Sequence, residues 1–180
     1  MRCRVNLNPT RMKKLIFAVI ALCSPVFVFC QDITGLWSGT MLNDSTQQSL
    51  PYEIFISKIK GKYTGFSQTW FMVDDKKYYG IKKINVRIAK DGKIIIQDAA
   101  AVENNSPVSA DKNVIQLNVL DLVKQDNEII LNGPFVTNRS RVYRELTGRI
   151  SLKRVSSSTE SSLLKYMQKN NGENDITVLK

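Results

Sequence analysis

The 180-residue sequence contains no histidine, and this absence limits the chemistry that the protein can perform. Histidine is the commonest general base near neutral pH and a frequent metal ligand. A Ser-His-Asp catalytic arrangement and a histidine zinc site are therefore excluded. An enzyme would have to work through Asp, Glu, Tyr or Lys, and we predict a protein that is not an enzyme and holds no metal or cofactor.

Cysteine is scarce, and the three cysteines all lie within the first 30 residues, at Cys3, Cys23 and Cys30. A chain that begins at Gln31 would contain none, which excludes disulfides, thiol catalysis and a cysteine metal site. A remaining domain of about 150 residues is large enough to be stabilised by its hydrophobic core alone.

Acidic residues are absent before Asp32, and this segment carries half of the net charge of +10. Five of the 26 basic residues lie in the first 14 positions: Arg2, Arg4, Arg11, Lys13 and Lys14. The rest of the chain has 21 basic against 16 acidic residues, an ordinary balance for a soluble domain. Because basic residues are also not interleaved with aromatic ones in a stripe, we predict no nucleic-acid partner.

The longest hydrophobic run, Leu15–Cys30, has 16 residues and is shorter than the roughly 20 that span a bilayer as a helix. A basic start, a short apolar run and small residues near its end are typical of a secretory signal. We predict a signal peptide over residues 1–30, cleaved after Cys30 or alternatively after Cys23, with translation starting at Met1 or Met12. The protein would be periplasmic, on the outer-membrane surface or secreted; an uncleaved anchor is the alternative.

Residues 31–155 show repeated period-2 alternation separated by short polar turns, which predicts about eight antiparallel strands. The turns include Lys60-Gly61, Asp74-Asp75 and the hairpin signal Asp91-Gly92. Eight strands joined by hairpins favour an all-β, up-and-down closed barrel, with a two-sheet sandwich as the alternative. In the tail of residues 156–180, helical spacing predicts a short helix over residues 160–170 that lies on the barrel wall.

The chain resembles the lipocalins and the wider calycin superfamily in its strand layout and in a Gly-x-Trp motif at the first strand, Gly35 and Trp37. The resemblance implies that Trp37 plugs one end of the barrel beneath an arginine from the last strand. Arg149 or Arg154 could take that position, and we favour Arg154. The segment from Gln31 to Thr40 is also similar to small exported proteins of Bacteroidetes-type bacteria.

The inner face of such a barrel could bind an apolar or amphipathic small molecule in a cavity. We predict that seven residues line it: Trp37, Ile54, Ile56, Phe66, Trp70, Ile84 and Val86. The alternative is an envelope structural or interaction module with a packed core and a binding surface. Three arginines between the last two strands, Arg139, Arg141 and Arg144, could bind an envelope protein or an acidic glycolipid.

Overall fold

The computed structural model describes residues 32–107, 114–141, 143–155 and 160–170. The predicted signal peptide, its cleavage site at Cys30 and the last ten residues of the tail lie outside these ranges. No described helix is both long and apolar enough to cross a membrane.

The described chain forms eight strands and one helix, as the alternation predicts. The elements are β1 (Gly35–Asn43), β2 (Ser49–Ile59), β3 (Lys62–Val73), β4 (Lys76–Ile88), β5 (Ile94–Asn104), β6 (Gln116–Gln125), β7 (Glu128–Thr137), β8 (Thr147–Val155) and α1 (Ser162–Asn170). β5 continues to Asn104, and β7 continues through Pro134 to Thr137. Proline has no N–H to donate, and it is tolerated in β7 because the pairing with β6 is interrupted at Gly133 and Pro134.

Each strand pairs with the next one in the chain, and β1 also pairs with β8, which closes the barrel. The closing ladder is complete from Leu36, opposite Val155, to Asn43, opposite Gly148. The predicted all-β, eight-stranded antiparallel barrel is therefore confirmed and the sandwich is wrong. Closure removes the free sheet edges on which other chains could pair.

Two of the three two-residue turns have the backbone that the right-handed twist of a hairpin requires. Lys60 and Gly61 have φ values of 50° and 81°, and Asp74 and Asp75 have values of 49° and 60°. Positive φ at both central residues defines the type I′ turn, which sets the register of the strands that it joins.

The barrel interior is filled by the inward-facing residues of all eight strands. Its buried hydrophobic residues are Ile33, Trp37, Met41, Tyr52, Ile54, Ile56, Ile84, Val86, Ile94, Ile96, Leu120, Leu131, Phe135, Ile150 and Leu152. Glycines share this face where the wall bends sharply. A Cβ at Gly65 would lie 1.8 Å from the carbonyl oxygen of Phe55, and one at Gly133 would lie 2.2 Å from that of Val119. Only glycine fits there, as in other tightly curved barrels.

A second core lies on the outer wall, where α1 covers a stripe of apolar side chains. Leu163, Leu164 and Met167 of the helix are buried against residues that include Leu36 and Phe55. Ser161 precedes the helix, and its hydroxyl accepts a hydrogen bond from the amide of Leu164 at 3.2 Å, as a helix N-cap does. The predicted short helix on the barrel wall is therefore confirmed.

Candidate functional site

The two ends of the barrel interior differ in chemistry. We call the end that contains Trp37 and Arg154 the plugged end, and the opposite one, where β2, β4, β6 and β8 begin, the polar end. Inward-facing polar side chains gather at the polar end, and we call them the interior polar cluster: Tyr52, Ser67, Lys82, Asp98, Gln116 and Asn118. Most of them are buried, although burial of polar groups costs free energy unless they form hydrogen bonds.

Strand periodicity places these residues on the inner face. Side chains two positions apart in a strand point to the same side of the sheet. Each of three cluster residues lies two positions from a buried interior isoleucine: Tyr52 from Ile54, Lys82 from Ile84 and Asp98 from Ile96. Antiparallel pairing then brings the polar ends of the five strands β2 to β6 together.

The hydroxyl of Tyr52 is the deepest polar group of the cluster. It accepts hydrogen bonds from the side-chain amides of Asn118, at 3.2 Å, and Gln116, at 3.5 Å. The amide of Gln116 also donates to the side-chain oxygen of Asn118 at 2.8 Å. Burial raises the pKa of Tyr52 above its ordinary value, and the nearby carboxylate of Asp98 raises it further. Tyr52 is therefore a neutral hydroxyl at physiological pH and cannot act as a base.

Lys82 and Asp98 form an ion pair where the ladder between β5 and β6 stops. The ammonium of Lys82 lies 2.5 Å from the carboxylate of Asp98, which also accepts the backbone N–H of Gln116 at 3.0 Å. The ammonium further donates to the carbonyl oxygen of Val114 at 3.4 Å. The side chain of Asp98 is 9% exposed and that of Lys82 is 32% exposed, so Lys82 is the charged group of the cluster that solvent reaches.

The described ladder between β5 and β6 is short beside this ion pair. Among the described residues, β5 pairs with β6 only over Ile94–Gln97, whereas β4 pairs with β5 as far as Asn104. Two register shifts between β4 and β5, at Ile81/Lys82 and Lys83/Ile84, bend β5 at this level. Beyond Gln97, the N–H of Gln116 donates to the side chain of Asp98 in place of a ladder hydrogen bond.

Aromatic side chains border the cluster at the rim of the polar end. Phe71 and Tyr78 are half-buried partners in the ladder, with ring centroids 6.3 Å apart. Between them and Lys82 lies Gly80, where an added Cβ would meet only ordinary contacts, the nearest at 3.9 Å. The interior is therefore less tightly filled at Gly80 than at Gly65, and an apolar group has a surface to contact there.

Five of the seven predicted lining residues do face the interior: Trp37, Ile54, Ile56, Ile84 and Val86. Four of them have no accessible surface: Trp37, Ile54, Ile56 and Ile84. Since a void that admits water would give its lining side chains accessible surface, these four pack against protein atoms alone. The plugged end is therefore filled by side chains.

The prediction that Phe66 and Trp70 line the interior is wrong. Phe66 pairs with Phe55 in the ladder, packs in the outer-wall core and makes an edge-to-face contact with Tyr166 of α1. Trp70 lies four positions further along β3, on the same outer face, with the ammonium of Lys77 5.5 Å from its ring centroid. Between Tyr63 and Phe71 the inner face of β3 carries small residues instead, at Gly65, Ser67 and Thr69, and a Cβ at Gly65 would meet the backbone of β2.

The plugged end has the arrangement that the calycin resemblance implies. The guanidinium of Arg154 lies 5.0 Å from the ring centroid of Trp37 and donates to the carbonyl oxygen of Thr34 at 2.9 Å. The indole N–H of Trp37 donates to the carbonyl oxygen of Ile33 at 2.9 Å. Gly35 has a φ of 110°, which favours glycine and lets the chain turn into β1. Arg149 is exposed and does not take this position.

The three arginines of the predicted basic connection lie on the loop between β7 and β8, at the polar end. Arg139, Arg141 and Arg144 are all exposed. None of them forms an ion pair with a carboxylate among the described residues. These arginines are not part of the interior polar cluster. No residue of that cluster is among the predicted site residues, although the alternation that places Ile84 inside also places Lys82 there.

No family model, no curated protein and no solved structure matches this chain. Within the described residues, no three cysteine or acidic side chains come close enough together to hold a metal ion. The chemical capacity of the site therefore follows from its own groups, which are a partly exposed ammonium, a carboxylate, two amides and two hydroxyls. Such a set can bind and orient a small polar group.

Proposed function

We propose that the protein is an exported small barrel that binds an amphipathic small molecule at the polar end. The polar part of the ligand contacts the interior polar cluster through Lys82, and its apolar part lies against Phe71 and Tyr78. The observation that carries the proposal is the buried polar cluster in an otherwise apolar barrel interior. Export rests on the predicted signal peptide.

The hydrogen-bonding capacity of Lys82 supports this assignment. An ammonium has three donors, and the contacts of Lys82 are with the carboxylate of Asp98 and the carbonyl of Val114. A partly exposed ammonium therefore has a donor available for an oxygen of a ligand. Because Tyr52, Gln116 and Asn118 hold one another in place behind it, the polar wall needs little reorganisation on binding.

The ligand position proposed here, at the polar end, differs from the one predicted from the sequence. Around Trp37 the interior is packed, so an apolar chain cannot extend into the plugged end without displacing core side chains. Displacement of close-packed residues typically costs several kcal/mol, about as much as moderate binding affinity provides. We therefore place the apolar part of the ligand at the rim.

To test the proposal, a larger side chain is placed at Gly80 to fill the space that the ligand would occupy. Gly80→Leu adds an isobutyl group beside Phe71 on the inner face, whereas the control Asn132→Leu places a leucine side chain of the same kind on the exposed outer wall. We would titrate each protein with anilinonaphthalene sulfonate, follow its fluorescence and measure its displacement by laurate, after checking by circular dichroism that each variant is folded.

We expect wild type and Asn132→Leu to bind the probe alike and Gly80→Leu to bind it at least about 10-fold more weakly, since overpacking must first be relieved. Equal binding by Gly80→Leu, or no displacement by laurate from wild type, would contradict the proposal. Native mass spectrometry of the protein purified from its host would then identify the natural ligand.

An envelope interaction module is the second candidate function, and the packed interior around Trp37 favours it. In that function the barrel is a rigid support and binding occurs on its outer surface. The Gly80→Leu experiment distinguishes the two candidate functions. A module that binds partners through its outer surface should keep that binding when the inner face of β4 is changed.

A further inference from the structure

The loop between β7 and β8 combines positive charge with exposed apolar side chains. We call residues 138–141 and 143–146 and the adjoining Ile115 and Val136 the basic arm. Its three arginines are exposed, and Glu145 is its one acidic residue. The arm thus combines arginines with exposed apolar side chains, whereas the interior polar cluster is mostly buried and has one ammonium.

Hydrogen bonds hold the backbone of the basic arm in place. The N–H of Ser140 donates to the carbonyl oxygen of Tyr143 at 2.9 Å, and the N–H of Tyr143 donates to the hydroxyl of Ser140 at 3.1 Å. At the base, the N–H of Thr137 donates to the carbonyl oxygen of Leu146 at 2.8 Å. The backbone at Thr137, Ser140, Tyr143 and Leu146 is therefore held by internal hydrogen bonds.

Further hydrogen bonds join the arm to the chain before β6. The N–H of Asn138 donates to the carbonyl oxygen of Ile115 at 3.1 Å, and the N–H of Ile115 donates to the side-chain oxygen of Asn138 at 2.7 Å. Apolar side chains that are 40–43% exposed surround these bonds: Ile115, Val136, Tyr143 and Leu146. A cluster of this kind on the surface is typical of an interaction site.

We infer that the basic arm binds the surface of an anionic lipid bilayer. Arginines pair with lipid phosphates, and aliphatic and tyrosine side chains enter the boundary between headgroups and acyl chains. Charge complementarity favours this partner, because the three arginines have no carboxylate partner among the described residues. The bound orientation turns the polar end of the barrel towards the membrane.

The plugged end is also basic, but its charges are partly neutralised. Lys93 pairs with Asp121 at 2.8 Å and Lys153 pairs with Glu128 at 2.7 Å. Its exposed apolar residues belong to separate connections, at Ile59, Ile88 and Val123. The arm is therefore the surface on which charge and apolar area coincide.

The test is co-sedimentation with vesicles of phosphatidylglycerol and phosphatidylcholine in equal parts, and with vesicles of phosphatidylcholine alone. The first variant replaces Arg139, Arg141 and Arg144 by Gln. The matched control replaces three exposed lysines of the plugged end by Gln: Lys60, Lys90 and Lys124. All proteins share the same N-terminal segment, so a difference between the two variants reports the arm.

We expect the arginine variant to partition about 100-fold less onto anionic vesicles than wild type, and the lysine control to lose no more than about 3-fold. A second variant with Tyr143→Ser and Leu146→Ser should bind more weakly while keeping the dependence on salt. Equal loss in the arginine and lysine variants, or binding by wild type that does not differ between the two kinds of vesicle, would overturn the inference. The vesicle assay compares surface variants without anilinonaphthalene sulfonate or laurate, so this result and the proposed function fail or succeed separately.

Discussion

The plugged and polar ends of the barrel use the same strands for different purposes. At the plugged end, Trp37 has no accessible surface and Arg154 packs across its ring. At the polar end, the ring of Phe71 is half exposed and the ammonium of Lys82 reaches solvent. Burial of apolar area stabilises the fold at one end, whereas incomplete burial leaves groups available for binding at the other.

The strand ladders show the same asymmetry. β1 and β8 pair along their whole length, and the residues that close the barrel near Trp37 belong to this ladder. Within the part of the chain that the structure describes, β5 and β6 pair only over Ile94–Gln97, and towards the polar end the side chain of Asp98 accepts the N–H of Gln116 instead. A binding site tolerates such a gap because the rest of the barrel supplies the stability.

The largest difference between the ends should follow removal of one aromatic ring from each. Trp37→Ala should lower the free energy of unfolding by about 3–5 kcal/mol, because it leaves a cavity and a guanidinium without its ring. Phe71→Ala removes a half-buried ring and should cost about half as much or less. Guanidinium chloride unfolding of both variants measures this, and equal losses would contradict the comparison.

A smaller difference should follow the addition of one methyl group to the inner face at each level. Gly65→Ala should destabilise the fold by about 1–3 kcal/mol, since its Cβ meets the backbone of Phe55 and the strands must separate. Gly80→Ala meets no close atom and should be neutral or slightly stabilising, because alanine lowers the entropy of the unfolded chain. Thermal melts followed by circular dichroism compare the two, and a larger loss at Gly80 would be the opposite of what we expect.

The fold was largely predictable because alternation and turn residues give local information. The type I′ turns at Lys60-Gly61 and Asp74-Asp75 lie where the sequence predicts turns, and each one sets a register. The Gly-x-Trp motif at Trp37 predicts the plug with its arginine. The ends of β5 and β7 were less predictable, because polar or proline-containing segments are extended there only through pairing with β4 and β8.

The site was less predictable because a strand pattern does not say which face is inside. We assign the aromatic face of β3, with Phe66 and Trp70, to the interior, but α1 forms a second core on the outer wall and buries part of that face. Lys82 and Asp98 become neighbours through the pairing of β4 with β5 and its two register shifts, which the alternation does not reveal. The signal that could have found them is a polar residue in phase with an interior isoleucine on several successive strands.

The smallest expected change concerns the deepest group of the interior polar cluster. Tyr52→Phe removes the hydroxyl that accepts from Asn118 and Gln116 and should cost about 1 kcal/mol at pH 7, because those amides lose a buried partner. The control is Tyr143→Phe, which removes the hydroxyl of an exposed tyrosine of the basic arm. It should leave the free energy of unfolding within about 0.5 kcal/mol of wild type.

The pH dependence of Tyr52→Phe sharpens this prediction. The pKa of Tyr52 is raised in the folded protein, so the unfolded chain releases this proton first as the pH rises past about 10. The contribution of Tyr52 is therefore complete below pH 10 and is lost above it, at about 1.4 kcal/mol per pH unit. Between pH 10 and pH 11, wild type should lose stability more steeply than Tyr52→Phe by about this slope. Parallel curves would show that the Tyr52 hydroxyl ionises as readily in the barrel as in water, and the polar end would then be far more hydrated than its hydrogen bonds indicate.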